Sequence, residues 1–291
     1  MKKFTTIFLI FAFIVCSVNV AQAEDKIKLK YDFQVGAKLK YSMKIDGDVT
    51  IQVNQNGMIA APKNTAKMQG DFNYTHEITK NNAAEQAARI NVIYGQSEMN
   101  TIVNGQKISN SDVPLLNGKI AVIDVGYNGQ VIKYKLPDEL PVSLQNADFK
   151  NMFTIFPDRF LRIGESWMEN SETVNEDNEN YLVINTVNLS RTLLGIEQKK
   201  SIECAKVKVV GNTTTITKSK KPQLKLDGKV EARIEGIVYY DLNRGYIVYS
   251  AIKNTINNVV TTGQMSENFQ TDAKEITTIL NTDLNTVVEL L

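Results

Sequence analysis

One histidine, His76, and two cysteines, Cys16 and Cys204, are the chain's whole supply of imidazole and thiol. Nucleophilic catalysis needs a base held within hydrogen-bond reach of a hydroxyl or thiol. His76 shares parity with Met68, Phe72, Tyr74 and Ile78. That spacing puts it on the apolar face of a strand, as a buried imidazole satisfied by a hydrogen bond. Cys204 is surrounded by Ile202, Ala205 and Val207 and reads as a small buried residue. A Cys204–His76 pair stays open, although both residues lie inside strand patterns. One histidine cannot supply a multi-histidine metal site.

Carboxylates are the other reactive groups. Glu169, Glu172, Glu176, Asp177 and Glu179 follow Trp167 closely. They could bind calcium, but the D-x-D-x-D-G spacing of a calcium loop is absent, so they read as a solvated loop. There is no phosphate-binding loop and no dinucleotide fingerprint. The expectation is a non-enzymatic protein with no cofactor and no metal.

The N-terminus reads as an address. Lys2 and Lys3 precede an apolar run from Ile7 to Val18, and Ala21-Gln22-Ala23 forms a small-x-small cleavage site. Residues 1–23 are expected to be a signal peptide, which places the protein in the periplasm or outside the cell. Cys16 keeps lipoprotein processing open, although Phe13-Ile14-Val15 lacks the small residue preferred before it. No later stretch is apolar enough to span a bilayer as a helix. Removing Lys2 and Lys3 takes the formal net charge from +1 to −1, so nothing pulls the chain toward nucleic acid.

Strict alternation dominates the rest. Leu39, Tyr41, Met43, Ile45, Val49, Ile51 and Val53 alternate with polar residues, as do Leu224, Leu226, Val230, Ala232, Ile234, Val238 and Tyr240. A period of two predicts long strands with one dry and one wet face. Gly47, Gly228 and Gly236 occupy apolar slots and predict bends or bulges. Asn104-Gly105, Asn117-Gly118 and Asn128-Gly129 mark turns between antiparallel strands. Two helices are predicted. One spans Ala147 to Phe156 and ends at Pro157. The other covers 271–291, where Ile276, Ile279, Leu280, Leu284, Val287, Val288 and Leu291 follow helical spacing behind an Asp272–Glu275 capping box.

Two landmarks recur. "FQVGAKLKYSM" from Phe33 matches "LRIGESWMENS" from Leu161, with Trp167 in the slot of Leu39. "IAVIDVGYNGQVIKY" from Ile120 matches "IVYYDLNRGYIVYS" from Ile237. Their shared order predicts two similar halves, 24–145 and 146–270, followed by the C-terminal helix. The fold class expected is mainly β, a long curved antiparallel sheet from two halves with a short mid-chain helix and a C-terminal one. Trp167 is expected to be scaffold, with a ligand-lining role as the alternative.

The opening Gly motif, "FPDRFLRIGESW" and "YYDLNRGYI" resemble a family of exported bacterial envelope proteins of unknown function. The resemblance implies location and fold and carries no activity. In shape, a curved sheet is also similar to periplasmic lipoprotein carriers. The expected function is to hold a lipid or other hydrophobic ligand on the concave face. Leu39, Tyr41, Met43, Ile45, Phe72, Tyr74, Trp167, Leu226, Val230 and Ile234 are the candidate lining residues. The alternative is a structural module with a filled core that binds another envelope protein.

Overall fold

The computed structural model describes residues 26–103, 105–109, 116–137, 152–175, 181–221, 224–264 and 275–291. The expected signal segment lies outside them. Among the described residues the strands are β1 (Lys38–Gln55), β2 (Met58–Ile59), β3 (Asn64–Asn82), β4 (Ala87–Val103), β5 (Gln106–Ser109), β6 (Ile120–Gly126) and β7 (Val131–Lys135). They continue with β8 (Ser166–Asn175), β9 (Tyr181–Lys199), β10 (Ile202–Ser219), β11 (Leu224–Asp241), β12 (Ile247–Gln264) and β13 (Glu275–Leu290). All pair antiparallel in one open sheet of order β7-β6-β4-β3-β1-β13-β12-β11-β10-β9-β8. The short β2 and β5 hang on β1 and β4.

Both expected helices are overturned. Among the described residues there is no α-helix. Met152–Phe156 is extended and irregular, and residues 147–151 lie outside the described set. Residues 275–290 form β13, and Asp272 also lies outside. The C-terminal spacing misleads because steps of four fit both periods. Ile276, Leu280, Leu284 and Val288 are four apart, but Thr278, Thr282 and Thr286 fall between them on the same strand face. Alternating β-branched residues suit a pleated strand better than a helix. As a strand, this segment pairs with β1 on one side and β12 on the other, so it seams the two halves of the chain into one sheet.

One buried cluster takes side chains from strands far apart in the sheet: Ile123 (β6), Ile90 (β4), Leu39 (β1), Val238 (β11), Val207 (β10) and Trp167 (β8). A flat sheet could not bring them together, so the sheet curls with this face inward. β1 passes Gly47 without a bulge, as the ladders to β3 and β13 keep register there. The neighbouring strand lies so close at Gly47 that a Cβ would overlap the Asp283 carbonyl.

Two extended segments strap the curl, one from Lys26 to Ala37 and one from Met152 to Glu165. They touch each other through an isolated pair, Ile27 with Leu161. The first crosses the β11–β12 turn, where Asp32 N donates to the Arg244 carbonyl at 3.0 Å. The second crosses the β6–β7 turn, where Phe156 N donates to the Asn128 carbonyl at 2.8 Å. The residue after each acceptor is a glycine with positive φ, Gly245 (74°) and Gly129 (93°). A Cβ on Gly245 would overlap the Lys30 carbonyl, and one on Gly129 the Thr154 carbonyl. Each strap thus lies on the hairpin of the other half of the chain. Both straps end in the same kind of turn. Ala37 N bonds to Gln34 O, Glu165 N bonds to Arg162 O, and Gly36 (87°) and Gly164 (90°) take the position that requires positive φ.

Tyr31 lies where the straps meet. Its ring stacks on Phe33 at 5.4 Å and packs against Phe153, Phe156 and Tyr246 at 5.0–6.3 Å. Its buried hydroxyl accepts from Thr154 N at 3.1 Å, and Thr154 Oγ1 shares a 2.6 Å hydrogen bond with the Tyr240 hydroxyl.

A prediction follows from the strap crossings. Gly245→Ala and Gly36→Ala share the left-handed backbone penalty of about 1–2 kcal/mol. Only Gly245→Ala adds an overlap with a strap, because open space surrounds Gly36. Thermal unfolding is expected to show Gly245→Ala losing clearly more stability than Gly36→Ala. Equal losses would mean the strap does not bear on that turn.

Candidate functional site

Register decides which side chains share the inner face. Met43 pairs with Phe72 and Val288, and Tyr41 pairs with Tyr74. Ile45 connects through Thr286 and Ile252 to Gly236, then through Val209 and Arg191 to Trp167. Gly47 connects through Leu284 and Asn254 to Ile234. Ile51 connects through Leu280 and Asn258 to Val230, and Leu226 is joined to Ile276 by Thr262. Leu39 is paired with His76. All ten candidate lining residues therefore lie on one face.

They divide into two groups. Leu39, Tyr41 and Trp167 are buried in the strapped core, and the Trp167 indole donates to the Ile155 carbonyl at 3.0 Å. Packed protein already occupies their surroundings. Met43, Ile45, Phe72, Tyr74, Leu226, Val230 and Ile234 are only half-buried. Beyond the straps the inner face is thus an apolar trough, floored by these residues and the leucines and threonines of β13. The outer face is mixed: Val174, Ile184, Ile216, Val259 and Ile279 share one row of it, and charges collect elsewhere. Lys44, Asp46 and Asp48 of β1, Asp283 of β13, Lys253 of β12 and Glu231, Arg233 and Glu235 of β11 are all exposed there.

Two polar features inside the curl depart from the sequence reading. Glu169, expected in a solvated loop, is buried in β8 and accepts from Arg191 Nε at 3.0 Å and NH2 at 2.8 Å. Burial works against the Arg191 charge, but the nearby Tyr240 and Glu169 offset it and hold the guanidinium above its ordinary value. The signal was present: Arg191 shares parity with Leu189 and Leu193, and Glu169 with Trp167. A charge on the apolar face of two adjacent strands implies a partner. Residues 176–179 of that acidic run lie outside the described residues. Cys204 is buried as expected, with its thiol donating to the Ile202 carbonyl at 3.3 Å, and burial raises its pKa.

His76 is buried on the inner face, 8% exposed, among Tyr41 (5.0 Å), Tyr74 (5.3 Å) and Phe153 (5.7 Å). The expected hydrogen bond is missing from Nε2, which has no partner among the described residues. Asn258 Oδ1, farther along the same face, is the other buried side-chain atom in that state. Burial pulls the His76 pKa down from 6.5 to about 4, so the ring is neutral at pH 7. His76 lines a cavity of about 40 Å³ with Tyr31, Tyr41, Tyr74, Phe153 and Val288 among its walls. A larger surface cleft of about 570 Å³ lies outside the curl, between Lys28–Lys30, Gln86, Asn128 and Asp158.

No protein-family model and no curated protein matches the chain. Among solved structures it is similar to an outer membrane channel from Pseudomonas putida F1, at 8% identity over 88% of this chain and 97% of that one, with a TM-score of 0.20. It is also similar to the Salmonella typhi OmpF complex with daunomycin, at 8% identity over 88% of this chain and all of that one, with a TM-score of 0.21. At such TM-scores the likeness carries no argument about this chain. Among the described residues no helix is long and apolar enough to cross a membrane.

The His76 environment predicts an acid-labile fold. An unfolded chain protonates this imidazole near 6.5, whereas the folded one resists until about 4. Stability present above pH 6.5 is therefore lost as pH falls toward 4, by about 3 kcal/mol. Urea unfolding at pH 7, 5 and 4 is expected to show a steeper loss for the wild type than for His76→Phe. Parallel curves would show that the folded protein carries the imidazolium without penalty.

Proposed function

We propose that the protein is an exported, non-enzymatic envelope protein that holds a hydrophobic molecule, of the size of an acyl chain, in the trough of its curled sheet. The observation that carries the reading is the division of the two faces. Seven half-buried apolar residues, on β1, β3 and β11, share the inner face, while Lys44, Asp46, Asp48, Lys253, Asp283, Arg233 and Glu235 are exposed on the outer face. A half-open, largely apolar inner surface is what a hydrophobic ligand covers. The leader-like residues 1–23 support export, and the paired landmarks support an origin in two similar halves.

A membrane-spanning barrel needs the opposite arrangement, an apolar band outside. Lys253, Glu235, Arg233 and Asp283 sit midway along their strands on the outer face, where such a band would have to be. That exterior favours water over lipid.

The test is native mass spectrometry of the protein purified gently from its own envelope, followed by denaturing lipid extraction. A hydrophobic molecule near one per chain is expected, on a polypeptide beginning at Glu24. The double variant Val230→Glu/Ile234→Glu is expected to lose most of it while keeping a β-type circular dichroism spectrum. Glu231→Gln/Arg233→Gln, on the outer face of the same strand, is expected to keep it. A bare wild-type polypeptide, or full retention by the inner-face variant, would sink the carrier reading in favour of a structural module.

A further inference from the structure

His76 Nε2 is a buried polar atom with no partner among the described residues, and the His76 side chain lines a cavity. Native proteins rarely leave such an atom unsatisfied, so a hydrogen-bonding group that enters the cavity is the economical explanation. At about 40 Å³ the cavity holds a few water molecules or one small polar group, and not a hydrocarbon chain. It adjoins the trough directly. Val288 lines it and also pairs with Met43 at the start of the trough, and Tyr41 and Tyr74 are the next inner-face pair along β1 and β3. A single-chain amphiphile lying in the trough would therefore place its head here.

The walls say what kind of head. Tyr31, Tyr41, Tyr74 and Tyr246 surround His76 together with Met152, Phe153, Ile247 and Val288. Among the described residues lining it there is no lysine, arginine or carboxylate to balance an ionic head. The tyrosines stay neutral too, since burial raises the pKa of Tyr31 and Tyr41 well above 10 and that of Tyr74 and Tyr246 to about 12. A carboxylate can only accept a hydrogen bond and an ammonium can only donate one. A hydroxyl does either, so it satisfies Nε2 in both neutral imidazole tautomers.

We infer that the His76 cavity takes the uncharged, hydroxyl-bearing head of a single-chain amphiphile, with the hydroxyl hydrogen-bonded to Nε2 and the hydrocarbon running out along Met43, Phe72 and Ile45. This rests on the trough reading above and adds the chemistry of the head.

His76 is the only histidine in the chain, so ¹⁵N-histidine labelling gives a single imidazole to follow. Decanol and decane are titrated into the labelled mature protein at pH 7. Decanol is expected to bind one per chain, to move the Nε2 resonance, and to bind about tenfold more tightly than decane, the contribution of one hydrogen bond to an otherwise unsatisfied atom. His76→Phe is expected to bind both equally. The wild-type resonance reads the contact even if that variant folds poorly. Binding of both probes with equal affinity and an unmoved Nε2 resonance would overturn the head-group assignment and leave the trough reading standing. Binding of neither would overturn both.

Discussion

The crossing of each strap over the hairpin of the opposite half is the constraint on which the rest of the molecule depends. A long antiparallel sheet twists, but twist alone does not bring its ends together. Here the Lys26–Ala37 segment is hydrogen-bonded at Arg244, and the Met152–Glu165 segment at Asn128. Tyr31, Phe33, Phe153 and Phe156 then fill the curl from the inside. The glycines at 129 and 245 are what permit this, since the strap backbones pass through the space a side chain would take. Remove the straps and Leu39, Trp167 and Val207 would lose the surface they pack against.

The straps fill only one end, and this explains why one face of the sheet has two characters. On β10, Ala205, Val207 and Val209 are buried near the straps, whereas Thr213, Thr215 and Thr217 farther along are half-exposed. The change in composition follows the change in depth. Threonine tolerates partial solvent and still favours the pleated backbone, so it suits a half-open surface. The buried Glu169–Arg191 pair sits beside core leucines, with Glu169 opposite Leu189 and Arg191 between Leu189 and Leu193 on the inner face. Such a pair contributes little net stability after desolvation, but losing either partner leaves a stranded charge, so it fixes how β8 meets β9.

Strand alternation made much of this legible from sequence. The expected runs from Leu39 to Val53 and from Leu224 to Tyr240 fall inside β1 and β11, and ten residues chosen by parity share one face. Parity is a local property, and register in an antiparallel sheet transmits it across every strand. The failures have equally local causes. In β13 the large apolar residues recur every fourth position, a spacing that a helix and a strand both satisfy, and the threonines between them were the deciding evidence. In residues 152–156 the aromatic spacing belongs to an extended strap, with Phe153 and Phe156 both against Tyr31 and reaching on to His76 and Tyr240. The strap crossings join Asp32 to Arg244 and Phe156 to Asn128 through backbone atoms, which no side-chain pattern records.

The polarity of the curl bears on the carrier proposal, because a large antiparallel sheet can meet a hydrophobic partner in two ways. A lipid-embedded barrel turns its apolar side chains outward and keeps water inside. This sheet turns Met43, Ile45, Val230 and Ile234 inward and presents Asp48, Asp283, Arg233 and Glu235 outward. Reversing that would take a one-residue slip of every strand, which would bury the charged belt and strand the aromatic core in solvent. The hydrophobic ligand we propose would therefore lie inside the curl, against the residues of the inner face. In that proposal the tyrosines around His76 mark its deepest point, beyond which Phe33 and Phe156 of the straps fill the space.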